Sequence, residues 1–332
     1  MPTKKMPNKI RMSIGSAIVL GLSKGWLDAL PITIYMLTYR RGKCSGSCAF
    51  CPQSKTSSGR ADMLSRVIWP EFPTEEVITY LADAYKKGNI LRACIQALNY
   101  PNVQRDLINI AKEIRVSCDI PISVSCQPLT RDMMQTLAEA GVNRVSVALD
   151  AVTNELFDVV KGATVGGLYK WENHLAALEE AVEIFGRNNV STHLIAGLGE
   201  REEDFVKLVQ TCVDMGVYPA IFAFTPINGT IMEHNSPPPI DYYRRLQLTQ
   251  YLITHGLCRY EKMKFKKGCL IDFGLDKDNL LKIVKTGEPF RTSGCPGCNR
   301  PYYNERPSGP VYNYPRKLTD AEIMEIEKVL CL

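Results

Sequence analysis

From residue 32 onward, the spacing of apolar positions settles into an alternation. Short runs of β-branched or apolar residues, bounded by turn formers, occupy 32–37, 90–96, 122–126, 144–149, 190–197 and 220–224, and each predicts a strand. Between them apolar residues recur at helical spacing over 74–87, 103–115, 131–140, 154–160, 172–188 and 202–215. Thr74-Glu75-Glu76 and Thr130-Arg131-Asp132 each put a capping residue ahead of an acidic first turn, where carboxylates favour the positive end of a helix. Six β-then-α units in a row imply a parallel sheet with right-handed helical crossovers, an α/β fold. Periodicity alone leaves open whether that sheet is doubly wound or curls into a whole or partial barrel.

The flanks differ. Residues 14–30 have helical apolar spacing broken by Gly21 and Gly25 and stopped at Pro31, after a basic, polar 1–11. Beyond Pro226 come the turn formers Pro226-Ile227-Asn228-Gly229-Thr230 and Ser236-Pro237-Pro238-Pro239, then a helix over 242–255. An irregular stretch rich in Gly, Pro and Cys follows over 258–315, and a last helix over 319–329. The expected organisation is a helical lead-in over 1–31, a β/α core over 32–230, and a cysteine-containing C-terminal extension over 231–332.

Composition narrows the function. Of 332 residues, 45% are apolar and 23% charged, ordinary for a globular chain able to bury a large core. The net charge of +5 comes without a long basic run, so no nucleic-acid partner is expected. The apolar run 17–22 is far too short to cross a bilayer, and no membrane partner is expected. Twelve cysteines in so long a chain, with no signal-peptide pattern, fit a reducing, metal-binding, cytoplasmic setting better than a disulfide scaffold.

The chemistry centres on Tyr39-Arg40-Arg41-Gly42-Lys43-Cys44-Ser45-Gly46-Ser47-Cys48-Ala49-Phe50-Cys51-Pro52. Cys44, Cys48 and Cys51 sit in a loop of small residues directly after the first predicted strand. Three thiolates from a short, bendable loop can hold three irons of a cubic 4Fe–4S cluster and leave the fourth free. A zinc site would want a fourth Cys or His close by, and none follows before Cys94. Further on, Cys295-Pro296-Gly297-Cys298 is a tight dithiol with Cys269 and Cys258 upstream. It suits a second iron–sulfur cluster on Cys269, Cys295 and Cys298, with Cys258 a weaker member; a zinc ribbon and a redox dithiol remain competitors.

The loop resembles the cluster loop of the radical S-adenosylmethionine (SAM) enzymes, in which the open iron chelates the amino and carboxylate groups of SAM. That resemblance implies a six-unit partial (β/α) barrel, with ligands at the C-terminal ends of the strands. It also implies that the reactive radical arises at the cluster rather than on a catalytic side chain. The SAM contacts it implies are Phe50 reaching adenine, Asp150 accepting ribose hydroxyls at the end of strand four, and Ile195 with Glu200 flanking adenine in Ile195-Ala196-Gly197-Leu198-Gly199-Glu200. Asp150 could equally cap the next segment, and the glycine-bearing run could be a plain strand-to-helix turn. Where many members carry Gly-Gly-Glu after strand two, this chain reads Cys94-Ile95-Gln96-Ala97-Leu98-Asn99-Tyr100 without the carboxylate, an absence shared with biotin synthase.

Over 32–230 the chain resembles biotin synthase, where cysteines at the ends of strands two, three and five and an arginine hold a 2Fe–2S cluster that donates sulfur. Cys94 and Cys126 match two of these positions and Ser191 the third, and no matching arginine is evident after Thr230. Cys94 and Cys126 are equally readable as small buried hydrophobes. The run from Arg291 to Pro310 resembles the tail of biotin-synthase-related archaeal proteins that act in pairs as a split lipoyl synthase. This resemblance implies formation of a C–S bond on an octanoyl chain carried by the lysine of a lipoyl-carrier protein, with sulfide from a second iron–sulfur cluster, expected to be 4Fe–4S. The implied partners are that carrier, a second related radical SAM protein and a one-electron reductant. Sulfur insertion into dethiobiotin, and radical chemistry without sulfur insertion, are the alternatives.

Overall fold

A computed structural model describes residues 6–306 and 308–332. The first five residues of the basic lead-in, and Pro307 in the tail, lie outside them. Six parallel strands, β1 (Thr33–Thr38), β2 (Arg92–Gln96), β3 (Ile122–Cys126), β4 (Val142–Val147), β5 (Val190–Ala196) and β6 (Val217–Ala223), stand side by side in chain order. Helices Thr74–Lys86, Val103–Ser117, Arg131–Glu139, Asn154–Val160, Trp171–Phe185 and Glu202–Met215 make the crossovers. Outside β1 the sheet continues antiparallel through Lys9–Met12 to Glu71–Pro73. Among the described residues no strand pairs with the outer edge of β6, so the barrel is partial.

Alternation along the strands divides two environments. Ile34, Met36, Ala93, Ile95 and Val124 are fully or almost fully buried in one hydrophobic core with Leu107, Ile110 and Leu137 of the helices. Each of the larger side chains, Val, Leu, Ile or Met, contributes about 2 kcal/mol of burial. The intervening residues, including Tyr35, Cys94, Gln96, Ser123, Ser125, Ser191, His193 and Phe222, line a common cavity. The sheet therefore curls, and its inner face sets polar side chains among apolar ones.

Several expectations are corrected. Residues 14–30 are not one helix: it stops after Ile14–Val19, where Gly21 turns at a φ of 76°. The basic lead-in supplies the strand Lys9–Met12, held by Arg11, which donates to the Trp69 carbonyl at 2.9 Å and to Glu71 at 3.0 Å. The irregular stretch contains a hairpin, Lys264–Lys266 with Cys269–Asp272, and a helix, Lys277–Lys285. No helix among the described residues is long and apolar enough to cross a membrane.

The tail turns back into the barrel. Asn299 receives the Ile32 amide and donates to the Leu30 carbonyl, and Thr33 donates to the Gly297 carbonyl at 2.8 Å. At the sixth strand the Ile221 amide donates to Ser293 Oγ, and Asn304 Nδ2 donates to the Ala223 carbonyl. One segment thus fastens to both the first and the last parallel strand.

Candidate active site

Residues 39–52 leave β1 and cross the mouth of the barrel. The loop is braced before any ligand arrives: the Cys44 amide donates to the Gln53 carbonyl, the Ser45 amide to Asn99, and the Lys55 amide to Gly46. Lys43 fastens it to the next loop through the carbonyls of Pro52, Ser57 and Gly59, at 2.9, 2.6 and 2.6 Å. Backbone N–H groups of Asn99 and Gly46 reach Cys44 Sγ at 3.1 and 3.3 Å and fix its position. Gly46 is required by space, since a Cβ there would stand 2.9 Å from Tyr169 Oη.

All three thiols are unpaired. Burial is the main cause that drives the Cys48 thiol far above its usual range and pushes Cys51 up to about 12. A thiol so placed gives up its proton when a metal cation takes the proton's place, so this donor set fits an iron–sulfur cluster. Among the described residues no three His, Cys, Asp or Glu side chains converge closely enough to hold a single ion.

The loop overlooks a cavity lined by Phe50, Gln96, Asp150, Tyr169 and His193 together with Cys44, Cys48 and Cys51. Asp150 is buried, with a φ of 68°, and accepts at 2.7 Å from the fully buried Lys161, which also donates to the Ala148 carbonyl. Burial holds the His193 imidazole down at about 4, so it is neutral at pH 7. Ile195 and Phe50 present apolar surface to the interior. Glu200 is differently employed: its carboxylate accepts the amides of Gly197 and Leu198 at 2.7 and 2.9 Å and the Tyr242 hydroxyl at 2.5 Å. It ties its own turn together and does not line either cavity.

Below the loop the interior opens into about 1190 Å³ of atom-free space, part of it continuous with solvent. Phe50 and Cys51 stand on its wall, and so do Cys94, Cys295 and Cys298. The dithiol of the tail therefore enters the barrel interior. Cys269 and Cys258 do not join it: Cys269 is exposed on the hairpin, and Cys258 is buried with its Sγ directed at the carbonyls of Arg259 and Gly274. Ser191 lines the same interior, whereas Cys126 packs against the core and borders the cavity under the loop instead. Cys94 was readable as a packing residue, but the alternation Arg92, Cys94, Gln96 along β2 is the signal that turns it inward. Burial, with Cys295 and Cys298 as neighbours, drives its thiol far above the usual range. Arg300 is buried with its guanidinium 3.6 Å over the Phe222 ring, while Arg291 pairs with Glu288 at the surface.

Comparison with known proteins adds lineage to this geometry. The profile of the Radical SAM superfamily matches residues 41–212, just over half the chain. Among curated proteins, the chain is 25% identical over 226 residues to a biotin synthase of Rhodopseudomonas palustris (strain BisB18), covering 66% of this chain and 59% of that one. It is 27% identical over 208 residues to a biotin synthase of Aquifex aeolicus (strain VF5), covering 61% and 58%. The chain thus spans just under three fifths of the length of these relatives. Among solved structures, methylornithine synthase superposes with a TM-score of 0.53 at 12% identity, over 73% of this chain and 67% of that one. The FeFe-hydrogenase maturase HydG from Carboxydothermus hydrogenoformans gives 0.52 at 17% identity, over 68% and 52%. These two likenesses establish a shared fold.

Proposed function

The chain belongs to the Radical SAM superfamily, and from that premise we propose that it is a sulfur-inserting enzyme, a lipoyl synthase component that forms a C–S bond on a protein-bound octanoyl chain. A 4Fe–4S cluster held by Cys44, Cys48 and Cys51 supplies, with SAM, one-electron chemistry strong enough to take hydrogen from an unactivated carbon. The residues of the chain bind, orient and keep out water. Asp150, steadied by Lys161, offers its carboxylate to the ribose hydroxyls, and Phe50 and Ile195 offer apolar contact to adenine. Leu64, Ala220, Phe222 and Phe224 give the inner cavity an apolar wall that suits an alkyl chain and excludes water.

The observation that carries this reading is the single cavity shared by Cys51 of the loop and Cys295 and Cys298 of the tail. A carbon activated near the mouth would lie within reach of a sulfur source mounted on that dithiol, and a second iron–sulfur cluster there is the proposed source. The partners are an octanoylated lipoyl-carrier domain, a second related radical SAM protein and a one-electron reductant, in a reducing cytoplasm that suits twelve unpaired cysteines. The similarity to biotin synthases favours a second reading, sulfur insertion into dethiobiotin. Ser191, where that chemistry would want a cysteine, counts against it.

The test is anaerobic incubation with reductant, SAM, an octanoylated carrier domain and the second protein. The expected result is 5′-deoxyadenosine together with a thiolated octanoyl chain seen by mass spectrometry, the thiolated product being lost in Cys295→Ala/Cys298→Ala. If 5′-deoxyadenosine and a sulfur-bearing product form only with dethiobiotin, the second reading replaces the first. Turnover without sulfur in either product overturns both.

A further inference from the structure

We infer that Cys94, Cys295 and Cys298 are the three thiolate ligands of one iron–sulfur cluster at the inner end of the barrel, which rests on the reading above that the chain carries a second cluster. The alternation of β2 turns Cys94 toward the interior, and the tail brings the other two to the same wall. The tail residues form a turn in which the Cys298 amide donates to the Cys295 carbonyl at 2.8 Å. That turn is packed onto its sulfur: a Cβ at Gly294 would stand 2.9 Å from Cys298 Sγ.

Hydrogen-bond donors face the two tail sulfurs. Tyr35 Oη accepts the amides of Asn299 and Arg300 at 3.1 and 3.0 Å, so its own hydrogen is left for Cys298 Sγ at 3.4 Å. Ser123 Oγ accepts from Arg92 at 2.9 Å and faces Cys295 Sγ at 3.7 Å, completing a relay from guanidinium through hydroxyl to sulfur. Arg92 also donates to the Pro296 carbonyl at 3.0 Å, locking the turn to β2. Hydrogen bonds of this kind orient the ligands of a cluster.

Two buried polar atoms point the same way. Arg300 is 8% exposed and Ser146 6%; both line this cavity, and Arg300 Nε and Ser146 Oγ have no hydrogen-bond partner. A guanidinium nitrogen left unpaired in a buried site is costly unless an acceptor is supplied. A sulfur-rich anion supplies one. Zinc fits less well, because it draws its ligands onto one point, and among the described residues no three such side chains converge on a single-ion site. Cys269, the third cysteine that proximity in sequence suggests, is exposed on the hairpin and plays no part.

The experiment removes the first cluster to isolate the second. A Cys44→Ala/Cys48→Ala/Cys51→Ala variant is reconstituted anaerobically with iron and sulfide, and iron, sulfide and zinc are counted alongside Mössbauer spectra. We expect it to retain about four irons per chain. Adding Cys94→Ala should abolish most of that iron, whereas adding Cys269→Ala should leave it intact. Cys94→Ser, which keeps the side chain's size, should alter the Mössbauer or EPR signature, and it decides the case if Cys94→Ala misfolds by circular dichroism. Retention of all the iron with unchanged spectra in both Cys94 variants overturns the ligand assignment and leaves the second cluster standing. Failure of the parent variant to hold iron, or zinc in its place, overturns the second cluster itself.

Discussion

Lys161 offers the sharpest quantitative test of how the SAM bed is held. Its ammonium is fully buried, and the water it has lost is replaced by the Asp150 carboxylate at 2.7 Å and the Ala148 carbonyl. Lys161→Met keeps most of the length of the side chain and removes the charge. Asp150, 8% exposed, is then left as a nearly buried carboxylate without its cation. Breaking a buried pair from one side costs about 3–5 kcal/mol. Because Asp150 borders the cavity and can be partly rehydrated, the lower figure of about 3 kcal/mol applies. At roughly 2 °C per kcal/mol for a chain of this size, the melting midpoint should fall by about 6 °C. Removing the orphaned charge as well, in Asp150→Asn/Lys161→Met, should recover more than half of that loss, since contacting residues are not additive. The assay is thermal melting at neutral pH on matched anaerobic preparations, read by circular dichroism and calorimetry. A single variant melting within about 1 °C of the parent would refute the reasoning, and so would a double variant no better than the single.

Two further outcomes follow from the geometry. Burial pushes the Glu305 carboxyl up to about 7 from an ordinary 4.5, against partial relief from Arg300. A raised folded-state value means a contribution that is full below pH 4.5 and lost as pH rises through about 7, a change of about 3 kcal/mol. Glu305→Gln should therefore flatten the stability profile between about pH 5 and about pH 8 in denaturant titrations; an unchanged slope would count against it. Gly46→Ala places a methyl 2.9 Å from Tyr169 Oη and 3.5 Å from Cys44 Sγ. It should weaken SAM binding at least tenfold, about 1.4 kcal/mol, and lower the iron retained at the loop, as measured by equilibrium dialysis and iron assay. Full iron with unchanged affinity would show that the loop tolerates the methyl.

Much of the barrel is legible because its strands are short apolar runs between long amphipathic helices, and the two periods seldom collide. The helices Asn154–Val160 and Glu202–Met215 fall where the spacing puts them. The strand Lys9–Met12 is hidden because its charged residues mask the alternation, and Arg11 is buried only through partners at Trp69 and Glu71 that sequence does not bring near. The mouth of the site is local, all three thiols lying within one loop, and is read directly. The inner end is not. Sequence proximity groups Cys269 with Cys295 and Cys298, but the chain between them forms its own hairpin and helix, and β2 supplies the neighbour instead. Glu200 shows the opposite failure: a motif position is matched while its carboxylate is spent on the amides of its own turn.

The fastening of the tail to both β1 and β6 has a consequence for the order of events during synthesis. Residues 32–35 and 297–300 must meet, so the floor of the barrel cannot form until nearly the whole chain has left the ribosome. Closing so long a loop is slow relative to pairing neighbouring strands. Until then the interior is open from beneath. A product truncated before Cys295 would leave its barrel lining open to solvent and to proteases.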